Sequence, residues 1–354
     1  MSEKNRSRRD ILKAGSGLAA ALFAEPICAA APEPVSVTPR LIEAARREGK
    51  VAWYATLDLP VVESIARAFE AKYSGIAVRV ERSGAERVFQ RIAQEYGSRI
   101  FQVDVVESAD ASHFIAWRRR GWLAASVPED VARYYHAEDR DPDGLFATWR
   151  IWFSVIGYNT NLVKPDEAPK SFDDLLDPKW TGKIVKSHPG YSGATLTATY
   201  EIARDMGWSY FERLAKQRVM QVQSSNDSPK KVALGERAVM ADGNEHALIR
   251  LKEAAQPIEA VYPLEGTPLI TGPSGVFKEA PNPNAARLFQ SWMFSVEAQQ
   301  LLIDIGALRS VHPLVKEKPT RKPFRDIKSM KDDPAAVEAQ SEEIRARYTR
   351  YFKV

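Results

Sequence analysis

The sequence predicts an α/β protein of two lobes, each a mixed sheet flanked by helices, joined by a hinge. Three observations carry that prediction. Strand-like and helix-like stretches alternate from Val51 to Gly121, the pattern of strand–helix units stacked into a sheet with helices on both faces. The alternation restarts at Ile151-Trp152-Phe153-Ser154-Val155-Ile156-Gly157, after a polar loop over 139–144. A late strand followed by two helices, from Gly275 to Ile305, is then fit to rejoin the first unit. Two units with a returning segment imply more than one crossing between lobes, and such a hinge lets lobes close on a ligand held between them.

The elements follow in order. Leu41, Ile42 and Ala45 form one helical face before Gly49, and Val51–Ala55 reads as a buried strand. Val62, Ile65, Ala66 and Phe69 recur at helical spacing, with Gly75 as the stop. Ile76, Val78 and Val80 alternate as a strand; Phe89, Ile92, Ala93 and Tyr96 make the next helix; 103–106 is a strand, and a helix runs through Phe114 and Trp117 to Gly121. In the second unit, Ser171 with Asp174 forms a capping box for a short helix at 172–176, which Pro178 ends. Ile184-Val185 is a strand, and the turn Gly190–Thr195 feeds a helix with Leu196, Tyr200, Ala203 and Met206 on one face. Ser228-Pro229 starts a helix, 238–241 is a strand, and Leu248 and Leu251 mark the helix behind it. The return segment holds a strand at Gly275-Val276-Phe277, then helices bearing Leu288, Phe289 and Trp292, and Leu301, Leu302 and Ile305; 333–352 reads as a charged surface helix. The expected organisation is a leader over 1–30, lobe 1 over 36–148, lobe 2 over 149–267, a lobe 1 return segment over 268–310 and a C-terminal helical segment over 311–354.

The leader begins with a charged stretch holding Arg8-Arg9 and continues into a short, weakly apolar run from Ala14 to Ala24. Paired arginines before such a run are the pattern of twin-arginine export, and the run is shorter than the roughly 20 residues a spanning helix needs. Cleavage is expected after Ala30, which places the protein in the periplasm. Removing 1–30 takes away five basic and three acidic residues, so the formal charge falls from +4 to +2. Near-neutral charge gives no case for nucleic acid or an anionic membrane as partner. The only cysteine, Cys28, lies in the leader, so the exported chain can hold neither a disulfide nor a thiolate metal site.

The middle of the chain carries a specific resemblance. Tyr158-Asn159-Thr160-Asn161, then Ser171-Phe172-Asp173-Asp174-Leu175-Leu176-Asp177-Pro178-Lys179-Trp180-Thr181-Gly182-Lys183-Ile184, resembles the periplasmic solute-binding proteins of ABC importers, in their ferric-iron, thiamine and sugar-phosphate branch. It extends to 51–123, to Gly275–Phe277 with Pro283-Asn284-Ala285-Ala286, and to Glu297–Leu302. The resemblance implies a type II periplasmic-binding-protein fold, a monomer that binds a small solute without a cofactor, and docking to a membrane permease. Ferric-binding members typically grip iron with a His, a Glu and a Tyr pair. Here the first-strand loop is Ala55-Thr56-Leu57-Asp58, the loop after Val106 is Glu107-Ser108-Ala109-Asp110, and the Tyr-pair position holds Glu245-His246. Asp58, Asp110, Glu245 and His246 remain possible oxygen and imidazole donors for a hard cation, without the two phenolates. The other histidines have no metal-ligand spacing, and no metal site is assigned.

Site candidates come from strand ends and helix starts. Gly190-Tyr191-Ser192-Gly193-Ala194-Thr195 opens a helix whose free N–H groups favour an anion, with Ser192 and Thr195 adding hydroxyls and Gly193 allowing close approach; the alternative is a plain helix cap. The family's habit of placing ligand at this turn favours the site. Thr56 and Asp58 follow the first strand, Ser108 and Asp110 another, at the edge where open parallel sheets bind ligands; each is equally a helix cap. Trp149, Trp152 and Tyr158 near the crossing either stack on a ligand ring or pack the hinge. Asn244 and Glu245 stand between a strand and a helix. The expected function is capture of an anionic or zwitterionic solute, thiamine phosphate being one that fits, by a receptor that is not an enzyme. The alternatives are a ferric-iron receptor with a non-dityrosine site and, from another class, a secreted hydrolase using Ser192 and His246, although Gly190–Ala194 lacks the last glycine of a nucleophile elbow.

Overall fold

The computed structural model describes residues 32–354; the expected leader, its cleavage site and Cys28 lie outside them. A two-residue strand β1 (Pro34–Val35) precedes α1 (Pro39–Glu48), which Thr38 caps by accepting from Leu41 N and Gly49 ends at φ 73°. The first lobe continues with β2 (Lys50–Ala55), α2 (Leu59–Lys72), β3 (Ala77–Arg82), α3 (Ala85–Gly97), β4 (Val105–Glu107) and α4 (Ser112–Arg119), then short β5 (Leu123–Ala124), β6 (Val127–Pro128) and α5 (Glu129–Tyr134). The long β7 (Ala147–Asn159) leads into the second lobe. There follow β8 (Ile184–Ser187), α6 (Gly193–Met206), α7 (Trp208–Ala215), β9 (Met220–Val222), α8 (Asp227–Ala233), β10 (Val239–Asn244), α9 (Glu245–Glu253) and β11 (Ile258–Val261). The chain returns along β12 (Leu269–Phe277) to α10 (Pro283–Met293) and α11 (Val296–Gly306), and ends in α12 (Pro334–Phe352).

The main sheet runs β3-β2-β4-β12-β7-β10-β8-β9, with β11 also on β7 and β5 on β12. Pairs within each lobe, β2 with β3 and β4, and β8 with β9 and β10, are parallel, whereas the strands that cross between lobes are antiparallel. The crossing consists of β7 and β12 side by side, Leu269 opposite Phe153 through Ser274 opposite Ala147. All 13 residues of β7 are buried, which is why the strand outruns its apolar run on both sides. β12 also exceeds the expected 275–277. Gly272-Pro273 hides its first half in the sequence, and the register shifts between those two residues, where a strand tolerates a proline.

The first lobe's core is aromatic: Phe289 packs edge-on against Trp53 (5.2 Å) and Phe69 (4.9 Å). The second lobe packs Ile156, Phe172, Trp180, Tyr210 and Phe211. The capping box forms as expected, Ser171 and Asp174 bonding reciprocally, on a 3-10 turn over Asp173–Leu176. Ser228 lies inside α8 and is not its cap; the helix begins one residue earlier, behind Asn226. The charged surface helix expected over 333–352 is α12, which buries only Val337, Ile344 and Tyr348. Their spacing places them on one face, so the helix packs that face and solvates the rest.

Candidate functional site

A cleft of about 600 Å³ opens between the lobes. Its first-lobe wall is Thr56 and Leu57 after β2, Arg82 at the end of β3, and the first turns of α3 with Glu86, Arg87, Gln90 and Arg91. Arg150 and Trp152 of the crossing strand form the floor. The second lobe supplies the turn Gly190–Gly193, the loop Gln223–Asp227, and Asn244 and His246. Apart from the floor, these segments end a strand or start a helix, so backbone groups not used in ladders converge here.

A continuous polar network lies beneath. The fully buried Glu107 accepts from Thr56 N, Leu57 N (2.7 Å) and Arg150 Nη2 (2.6 Å). Arg150 also donates to Thr56 Oγ1 at 3.2 Å, and its guanidinium lies 4.5 Å over the Trp152 ring. Trp152 Nε1 donates to Asn244 Oδ1 (2.8 Å), and Asn244 Nδ2 donates to Ser225 Oγ (2.9 Å) and Asn226 Oδ1 (2.6 Å). Ser192 Oγ donates to Ser225 Oγ at 3.1 Å and accepts from Thr195 N at 3.3 Å. The charge of Arg150 is thus answered by Glu107, as a buried ion requires. Arg82 and Arg87 differ. Arg82 donates to the carbonyls of Leu57 and Thr56, Arg87 to Gln223, and neither has a carboxylate partner among the described residues.

His246 is buried in the same wall, and both ring nitrogens lack a hydrogen-bond partner among the described residues. Burial and then the Arg150 charge hold its pKa down at about 3, so it is a neutral imidazole at physiological pH. It can give one hydrogen bond and take another.

Of the expected site residues, Thr56, Trp152, Ser192, Gly193 and Asn244 line the cleft. The others lie elsewhere. Asp58 borders an adjoining depression, ion-paired with Arg250 and accepting from Asn226 Nδ2 at 2.6 Å. Ser108 accepts from Asp110 N (3.1 Å), and Asp110 accepts from Ser112 N (3.0 Å), so both serve the turn that leads into α4, whose cap position is Ala111. The Thr195 hydroxyl pairs with Ser187. Glu245 is fully buried and does not reach the cleft: burial alone would raise its pKa, but Arg321 and Arg309 overcome this and hold it at about 2. Trp152 has one face covered by Arg150 and its N–H occupied, so hinge packing describes it better than free stacking. Among the described residues, no group of three or more His, Cys, Asp or Glu is placed to hold a metal ion. The sequence does not mark Arg82 or the α3 residues from Glu86 to Arg91, because the stretch reads as an ordinary amphipathic helix behind a strand.

Three comparisons bear on this geometry. A family model described as bacterial extracellular solute-binding protein matches residues 50–307. The chain is 23% identical over 289 residues to iron uptake protein A1 of Synechocystis sp., covering 75% of this chain and 76% of that protein. Its fold is similar to the periplasmic binding protein AfuA of Actinobacillus pleuropneumoniae with fructose 6-phosphate bound, at TM-score 0.79 and 23% identity over 86% of this chain and 99% of that one. It is also similar to iron-bound HitA of Pseudomonas aeruginosa, at TM-score 0.74 and 24% identity over 85% and 99% of the respective chains.

Proposed function

The chain belongs to the bacterial extracellular solute-binding protein family, and from that membership we propose that it is the periplasmic receptor of an ABC importer, exported by the twin-arginine route, that captures a small anionic solute in this cleft. The observation that carries the anionic reading is the pair Arg82 and Arg87, which line the cleft without a carboxylate partner among the described residues. The turn at Ser192-Gly193, opening α6, adds a helix N-terminus to the same wall. The neutral, unpartnered His246 beside Asn244 suits a hydroxyl-bearing body rather than a second charge. Together these favour a phosphomonoester or carboxylate on a polyol, and fructose 6-phosphate in the Actinobacillus neighbour is of that kind.

A zwitterion such as thiamine phosphate loses support, because the carboxylates expected to meet its cation are engaged: Asp58 by Arg250, Glu245 by Arg309 and Arg321. Ferric iron is favoured by the names of relatives, yet Asp58, Asp110, Glu245 and His246 stand in separate settings. A hydrolase needs a nucleophile bonded to its base, whereas Ser192 donates to Ser225 and His246 bonds to neither.

Calorimetry with fructose 6-phosphate, inorganic phosphate, thiamine phosphate and ferric citrate tests the reading. A phosphate ester should bind, and Arg82→Gln with Arg87→Gln should weaken it about ten-fold or more, the scale of removing one charge-assisted hydrogen bond. Binding of ferric citrate alone, untouched by the arginine variants, would overturn it.

A further inference from the structure

We propose that Arg345, on the C-terminal helix, is a specificity-determining positioning residue of the cleft: it neutralises Glu86 at the cleft wall, and it reaches Glu86 only when the two lobes are closed. The specificity half rests on the anionic reading above; the closure half does not.

The helix α12 is held to the two lobes by different means. Val337 and Ile344 pack with Leu196 and Tyr200 of α6, and the buried Tyr348 donates to Gln221 Oε1 at 2.9 Å, so its apolar face belongs to the second lobe. It also lies along α4 of the first lobe, where its side-chain bonds are ionic. Glu338 takes two bonds from Arg119, at 2.5 and 3.2 Å, and Arg345 Nη2 lies 2.8 Å from Glu86 Oε2. Apolar burial is short-ranged and resists separation, whereas part-exposed ion pairs form and break at small cost. On opening, α12 therefore stays with the second lobe and parts from the first.

Glu86 sits in the first turn of α3 and lines the cleft beside Arg87. An uncompensated carboxylate there repels an anionic ligand. Protonation does not silence it: burial raises its pKa, but the nearby His113 (3.8 Å), the hydrogen bond from Gln90 (2.8 Å) and the charge of Arg345 overcome this and hold it at about 2. A fixed cation can silence it, and Arg345 is one placed to arrive with closure. The open cleft then leaves Glu86 with the Gln90 amide as its bonded partner, and the closed cleft adds the Arg345 cation, so closure and anion affinity reinforce each other.

Two readouts test this. Spin labels at Arg67→Cys on α2 and Glu212→Cys on α7, in a chain with Cys28→Ser, report the inter-lobe distance without ligand. Arg345→Gln should lower the closed-to-open ratio about five-fold, the scale of a part-buried ion pair, and 1 M NaCl should do the same to wild type but little more to the variant. Calorimetry with fructose 6-phosphate then separates charge from scaffold. Arg345→Gln should weaken binding about ten-fold, as an unpaired charge beside an anion does, and adding Glu86→Gln should restore the part due to charge while the part due to lost closure remains. An unchanged distance distribution overturns the closure half. Failure of Glu86→Gln to rescue overturns the specificity half, because a structural defect of α12 would not be repaired at Glu86. If wild type closes as described but binds no phosphate ester, the anionic reading has failed and the closure half stands.

Discussion

Gly193 and Asp110 meet where the two lobes touch beside the cleft: a Cβ built on Gly193 would lie 3.0 Å from both Cγ and Oδ2 of Asp110. Asp110 follows β4 in the first lobe, and Gly193 opens α6 in the second. The glycine expected to admit a ligand to the backbone thus also admits a side chain of the opposite lobe. A carboxylate against the first turn of α6 suits the positive end of that helix.

Gly193→Ala should therefore disturb the approach of the lobes before it disturbs ligand binding directly. We expect lower ligand affinity and a larger radius of gyration in small-angle scattering. Asp110→Gly in the same chain should recover both in part, since it removes the atoms that the new Cβ meets. No recovery would return Gly193 to a role at the ligand alone.

Glu245→Gln should destabilise the protein by about 3–5 kcal/mol, because it leaves Arg321 buried without its counter-charge and Arg309 with Glu317 alone. The pKa held at about 2 fixes the pH dependence. The stabilisation is present above the unfolded carboxylate value of about 4.3 and is lost as pH falls towards 2. Urea denaturation of wild type and variant should give curves that converge over that window and stay apart at pH 7.

His246 is a base held neutral rather than an acid held charged. With a folded pKa of about 3 against an unfolded value of about 6.5, the unfolded chain binds the extra proton. Its contribution is intact above pH 6.5 and declines as pH falls towards 3. Denaturation midpoints of wild type should drop between pH 6.5 and 4 more than those of His246→Gln. At pH 7 the same substitution should leave stability within about 1 kcal/mol, as for a side chain with no partner to lose, while weakening ligand binding.

If residues 1–30 are the twin-arginine leader proposed above, Arg8→Lys with Arg9→Lys should block export without changing the affinity of the purified protein, since the pair lies ahead of the family match that begins at residue 50. Undiminished periplasmic accumulation of the double variant would show that another route suffices.

Much of the fold was legible because strands and helices in the first lobe alternate with clean periods. The helix of Val62, Ile65 and Phe69 and the strand at Val51–Ala55 depend on little beyond local pattern. Elements that depend on distant partners were not legible. β9 and β11 are short strands completed by neighbours, and β10 runs on through Asp242 because Lys186, buried with it, neutralises the charge. The face of α12 was readable in principle, since Val337, Ile344 and Tyr348 fall seven and four residues apart. The site was legible at the turns and not in its charges. Glu245 and His246 are adjacent, yet one turns into an ion cluster whose first arginine, Arg309, is 64 residues away, and the other faces the cleft. No local pattern distinguishes them.

Whether the cleft takes a small anion is decided by native mass spectrometry of the protein purified from the periplasm without added ligand. We expect a population heavier by the mass of an organic phosphate or carboxylate, with no metal, that disappears when Arg82→Gln and Arg87→Gln are combined. A population carrying iron, or a cationic solute retained by the arginine variants, would refute the anionic cleft.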